Sequence, residues 1–290
     1  MREKKVLFLP IERNSQIPPP IVDIFQKADD YGRKKRRHRD DLARTKAEIL
    51  SDYAKFSQRE RALFFSVLYD RFAESYDQHM SETGHYEAIR NVLMFAGPYI
   101  KLPLLDITAG TGEPLSHVCE LIDASIVLRR LSMRELDAVA SRLPDAGSGR
   151  IVANEISRRM RERAKEKLNV TFTSHDALDL PREWRFKTVL CSQTFHLITD
   201  EDKSRLVQSM HKVLLPGGTA IVIEEDPFRI TETEAIEGIS MFLEPIVAPI
   251  KHRGTLIAYF EDGGFKHLEQ RGVYPIDSEH VMRLHLFQRR

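Results

Sequence analysis

Hydrophobic spacing changes along the chain. Over the first third, apolar residues recur three and four positions apart, and from Leu102 onward short apolar runs alternate with helical stretches, the order of an α/β protein with a parallel sheet. Ile21, Ile24 and Phe25 make a helical stripe behind Pro18, Pro19 and Pro20, whose fixed φ suits a helix start. Residues 1–20 read as an extended arm. From Ala43 to Leu68 the spacing predicts helix with Ile49, Tyr53, Phe56, Leu63 and Phe64 turned inward, and another helix is expected over Tyr86–Ala96. Leu102, Leu104, Leu105 and Ile107 then predict a buried strand, followed by a helix carrying Leu115, Val118 and Ile122. Further strands are expected over Arg150–Glu155, Val170–Ser174 and Lys187–Ser192, after the turn Leu214–Gly218, and near 268–273 and 281–287. Helices are expected over Glu201–Leu214 and Arg253–Gly264.

Between the first strand and its helix lies Asp106-Ile-Thr-Ala-Gly-Thr-Gly112. Gly110 and Gly112 let backbone approach a ligand without a Cβ in the way, and the free N–H groups of the following helix point at the same spot. The dinucleotide fingerprint needs a third glycine where Leu115 stands, and a phosphate loop needs Gly-Lys where Glu113 and Pro114 follow Gly112. Two carboxylates, Asp106 and Glu113, suit a cofactor with a cationic centre.

This stretch resembles motif I of the class I S-adenosylmethionine-dependent methyltransferases, Asp-x-Gly-x-Gly-x-Gly, with Thr108 in place of the first glycine. The segment Tyr69-Asp-Arg-Phe-Ala-Glu-Ser-Tyr76-Asp resembles the Tyr-Asp repeat that precedes motif I in small-molecule methyltransferases of the quinone-biosynthesis type, and Leu214-Leu-Pro-Gly-Gly218 resembles the family's turn before its fifth strand. The resemblance covers roughly residues 69–290 and implies a Rossmann-like seven-stranded sheet with a final antiparallel hairpin and S-adenosyl-L-methionine as cofactor. It divides the chain into a helical N-terminal extension and lid (1–100) and a cofactor-binding domain (101–290) with an insertion near 125–149. It further implies that Thr108, Ala109, Gly110 and Gly112 line the cofactor and Asp106 lies beside them. By the same resemblance Glu155, with Ile156, holds the ribose diol, and Asp176 and Ala177 meet the adenine. Tyr76 covers the cofactor from the lid, and Gln193 stands at the fourth motif. His196 is the candidate base near that rim. Glu224, Glu225 and Asp226 are expected either to bind a cationic substrate or to cap the next segment. The Pro-Cys motif of RNA cytosine methyltransferases is absent, which excludes that chemistry.

Composition narrows the partners. The 290 residues are 42% hydrophobic and 30% charged, and 44 Lys+Arg against 43 Asp+Glu leave a net charge of +1, so no global field favours nucleic acid or acidic lipid. A local patch would have to serve, and the run Arg33–Arg39 is the densest charge cluster, although it lacks interleaved aromatics for stacking on bases. The two cysteines, Cys119 and Cys191, suit free thiols in a reducing compartment, and no apolar run approaches the roughly 20 residues of a membrane helix, so a cytoplasmic location is expected. The expected function is methyl transfer to a small-molecule acceptor. The alternatives are an RNA- or protein-directed enzyme docking through Arg33–Arg39 and a non-catalytic adaptor keeping the fold.

Overall fold

The computed structural model describes residues 17–33, 39–129, 151–226, 253–276 and 281–290. Lys34–His38 of the basic run, the 125–149 insertion beyond Arg129 and the Pro227–Pro249 stretch lie outside these residues. Four helices come first: α1 (Pro19–Arg33), α2 (Arg39–Tyr53), α3 (Gln58–Glu82) and α4 (His85–Leu93), with a 3-10 turn over Met94–Tyr99. The sheet follows: β1 (Leu104–Asp106), α5 (Glu113–Arg129), β2 (Ile151–Asn154), α6 (Arg158–Lys167), β3 (Thr171–Thr173), β4 (Phe186–Ser192), α7 (Asp200–Val213), β5 (Leu214–Asp226), α8 (Arg253–Asp262), β6 (Phe265–Pro275) and β7 (Val281–Arg289).

Strand order is β3-β2-β1-β4-β5-β7-β6, with β7 antiparallel to both neighbours and the other pairings parallel. This is the expected seven-stranded sheet with its final hairpin. Alternation along the strands feeds two cores. Leu105, Val152, Val189 and Val222 pack under α1, α2, α3, α7 and α8, while Leu104, Ala153, Leu190 and Ile221 pack under α4 and α5. The N-terminal helices thus share a core with the sheet. Phe25 stacks on Phe64 at 5.1 Å, and Arg71, only 5% exposed, lies over the Phe25 ring and pairs with Asp29 at 2.9 Å.

The continuous helix expected over Ala43–Leu68 is broken. Ser57 caps α3, its hydroxyl accepting from the Glu60 N–H and its own N–H donating to Glu60 Oε2 at 2.8 Å, and this capping box outcompetes continuation of α2. The helix expected over Tyr86–Ala96 likewise closes at Leu93 and tightens into the 3-10 turn that contains Pro98.

β1 and β4 are adjacent but their following loops run to opposite faces of the sheet. Their carboxyl ends therefore open the crevice in which open α/β sheets bind ligands.

Candidate active site

A cleft of about 940 Å³, counting its open mouth, lies at that crevice and is roofed by α3. Its lining brings together Tyr76, Thr108, Gly110, Glu155, Ile156, Asp176, Ala177 and Gln193, eight of the residues singled out in the sequence. Asp106, Ala109 and Gly112 stand behind this lining and shape it.

The cradle turns through glycine. Gly110 has φ of 55° and Gly112 of 82°, whereas Thr108 stays out of the left-handed region, so the bend is made at the second and third motif positions. Gly112 is also a packing contact, because a Cβ there would sit 2.7 Å from Leu168 Cδ1 and 3.1 Å from Ala164 Cβ of α6. Gly112→Ala is therefore expected to cost about 2 kcal/mol of stability, combining left-handed strain with crowding. A urea midpoint equal to that of the wild type would refute this.

Glu155 directly follows β2 and is 7% exposed. Its Oε2 accepts from Gly110 N at 2.8 Å and its Oε1 from Ser157 N at 2.7 Å, tying the cradle to the start of α6. Burial raises its pKa, opposed by these two amides. Each oxygen keeps a second lone pair, which is what a vicinal diol requires. Asp176 accepts from Leu178 N on Oδ1 and from Gln58 Nε2 of α3 on Oδ2, both at 2.9 Å. Gln58 in turn accepts from Arg205 of α7, and Arg61 pairs with Asp202 at 2.8 Å, so the first turns of α3 are held on both sides of the cleft.

Asp106 is buried, with Oδ1 3.3 Å from Thr108 N and no partner on Oδ2 among the described residues. Burial, with Glu155 nearby, pushes its pKa up to about 7 against the Thr108 amide. Glu113, the other carboxylate expected to suit a cation, instead pairs with Lys167 at 3.1 Å.

The Tyr-Asp repeat acts in two directions. Tyr69 and Tyr76, two turns apart, line the cleft with rings edge to face at 6.2 Å, while their neighbours Asp70 and Asp77 reach back to hold α3. Asp70 accepts from the Ser157 hydroxyl at 2.6 Å and from Arg159 N at 2.9 Å, at the first turn of α6. Asp77 accepts from Tyr86 OH at 2.6 Å and from the Thr111 hydroxyl of the cradle, and pairs with Lys167 at 2.8 Å.

His196 requires correction as a candidate base. It is 7% exposed and outside the cleft lining, with Nδ1 2.8 Å from Glu224 Oε2. Glu224 Oε1 also accepts the Thr194 and Phe195 amides, both at 2.7 Å. Glu224 is thus an anchor for the loop after β4, and Glu225 pairs with His85. Neither of these two acids is presented to a cationic substrate. Gln193, held by this loop at φ 53°, keeps a conformation unusual for a residue with a Cβ, as functional loops often do. Gln58, Arg61, Thr111 and Thr194 were missed by sequence reasoning, since their partners come from distant segments.

A family model described as a methyltransferase domain matches residues 136–218. No curated protein matches the chain. Among solved structures, an S-adenosylmethionine-dependent methyltransferase of Thermotoga maritima, described as a possible histamine N-methyltransferase, is 16% identical over 77% of this chain and 98% of its own, with a TM-score of 0.51. An O-methyltransferase family protein of Burkholderia thailandensis is 13% identical over 93% of this chain and 71% of its own, also with a TM-score of 0.51. These two likenesses show the fold, and the domain match spans β2, β3, β4 and the first residues of β5. The chain thus has the Rossmann-like fold of S-adenosylmethionine-dependent methyltransferases and carries a methyltransferase-domain match over residues 136–218.

Proposed function

We propose that the chain transfers the methyl group of S-adenosylmethionine to a small-molecule acceptor. The observation that carries this is Glu155, a buried carboxylate fixed by two amides beside the glycine cradle, with lone pairs left for a ribose diol. The rest of the lining fits the same cofactor. Asp176, with the Ala177 N–H, suits the edge of an adenine, whose amino group would take over the bond now made by Gln58. Asp106 is a buried carboxylate behind the cradle, with one oxygen unpartnered among the described residues, and suits a cation. Tyr76 and Gln193 close the cleft from α3 and β4.

When bound, the cofactor supplies an electrophilic sulfonium methyl. The residues of the chain supply position. The carboxylates lining the cleft are all engaged, Glu155 by amides, Asp176 by Gln58 and Leu178, and Asp202 by Arg61, so orientation and exclusion of water account for the rate enhancement. Shape supports a small-molecule acceptor. Because α3 roofs the cleft, the acceptor meets the methyl inside an enclosed space walled by Phe65, Tyr69 and Tyr76.

Isothermal titration with S-adenosylmethionine and S-adenosylhomocysteine tests the cofactor site. Saturable binding that weakens about tenfold or more in Glu155→Ala and Asp176→Ala is expected, a loss matching one or two charge-assisted hydrogen bonds. A folded wild-type protein that binds neither ligand would sink the proposal.

A further inference from the structure

Thr108, in place of the family's first glycine, is one half of a hydroxyl pair. Its Oγ1 lies 2.7 Å from Thr194 Oγ1, and the Thr194 hydroxyl donates to the Ser192 carbonyl at 3.0 Å. A carbonyl only accepts and a hydroxyl carries one proton. The Thr194 proton is therefore spent on Ser192, and the shared contact must use the proton of Thr108. Both residues line the cleft, and with both protons committed the pair offers it only lone pairs. The buried Cys191 sulfur lies against both hydroxyls from within the sheet and accepts weakly from them, so it adds a third internal acceptor and frees neither proton for the cleft.

The pair is held rigidly. The Thr194 amide is bound to Glu224, and the Thr108 amide lies 3.3 Å from Asp106 Oδ1. Two oxygens at the carboxyl ends of β1 and β4 thus act as acceptors without a proton to offer, close to a buried carboxylate. Such a floor disfavours an anion. It suits an ammonium, or the acidified C–H groups beside a sulfonium, which act as weak donors to oxygen.

We infer that the Thr108–Thr194 hydroxyl pair recognises the cationic methionine end of the cofactor. The inference rests on the proposal that this cleft binds S-adenosylmethionine. In it, the side chain that replaces glycine is a specificity determinant for charge, adding an oxygen contact that a glycine could not make. Thr194, which the motif does not include, is needed because it consumes the proton that Thr108 would otherwise turn toward the cation.

The test compares calorimetric affinities of S-adenosylmethionine, S-adenosylhomocysteine and 5′-methylthioadenosine, the last having neither ammonium nor sulfonium. Thr108→Val is expected to weaken S-adenosylmethionine about tenfold while leaving methylthioadenosine within about twofold, the loss of one hydrogen bond to a charged group. Thr108→Ser restores affinity. Thr194→Val, which frees the Thr108 proton, weakens S-adenosylmethionine in the same selective way and serves if the first variant melts early. S-adenosylhomocysteine identifies the recognised charge: affinity lost in parallel assigns the ammonium and affinity kept assigns the sulfonium, and either supports the inference. Unchanged S-adenosylmethionine binding, or equal loss for all three ligands, overturns it in favour of packing. A wild-type protein that binds methylthioadenosine and S-adenosylmethionine equally also overturns it, whereas one that binds none of the three overturns the cofactor proposal itself.

Discussion

Asp106→Asn is expected to make the ligand-free protein more stable at pH 8 and to cripple cofactor binding. Burial lifts the Asp106 pKa to about 7, far above its value in an unfolded chain. That difference corresponds to about 4 kcal/mol of penalty on the charged form, an upper bound for what the substitution can recover. The sign follows from proton binding. Between about pH 4 and pH 7 the native state holds more protons on this group than the unfolded state, so its contribution to stability is present at acid pH and lost as pH rises through 7. Asparagine has no charge to bury. The variant should come closest to the wild type near pH 4 and exceed it by about 1–3 kcal/mol at pH 8, measured by urea unfolding at both values. Binding should move the other way. A cationic ligand favours the ionised carboxylate, so wild-type affinity should rise between about pH 6 and pH 8 with release of a proton, and the variant should lose about tenfold or more in affinity along with that pH dependence. A variant less stable than the wild type at pH 8, or one that keeps the pH dependence, would show that Asp106 is a structural acid and nothing more.

Asp77→Ala is expected to cost about 3 kcal/mol, because it strips a partly buried carboxylate from Tyr86, Thr111 and Lys167 at once. Burial pushes the Asp77 pKa up, but bonds from Lys167, Thr111 and Tyr86 outweigh it and leave the pKa lowered. For a lowered acid the sign is reversed: its stabilisation is present at neutral pH and lost as pH falls through the lowered value. The gap between wild type and variant should thus be wide at about pH 6 and shrink below about pH 4. Since Asp77 joins the roof helix to the cradle, S-adenosylmethionine affinity should fall as well. Asp77→Asn, which keeps two acceptor lone pairs for the hydroxyls but loses the ion pair, should lie between. A gap that stays constant with pH would place the cost in packing alone.

Much of the fold was legible because its signals are local. Short apolar runs gave the strands, Gly110 and Gly112 gave the turn, and Glu155 stood out as an acid at the end of a strand. Signals that failed were contacts between distant segments. Asp70 and Ser157 are 87 positions apart, and neither sequence neighbourhood names the other. Glu224 was expected to bind a cation or cap the next segment, whereas it anchors a loop 28 to 30 positions earlier. His196 had the chemistry of a base, but burial beside Glu224 removes it from the cleft. The break before α3 is a different kind of miss. Ser57 and Glu60 have the spacing of a capping box, yet helical periodicity runs straight through them, and the local cap prevails over the longer pattern.

The seven-residue step between Asp70 and Asp77 has a mechanical consequence. A rod pinned at one point can still roll or slide; pinned at two points on the same side, it can do neither. With one pin at the head of α6, the other on the glycine turn, and Gln58 and Arg61 clasped at its far end, α3 is fixed in place as the roof of the cleft.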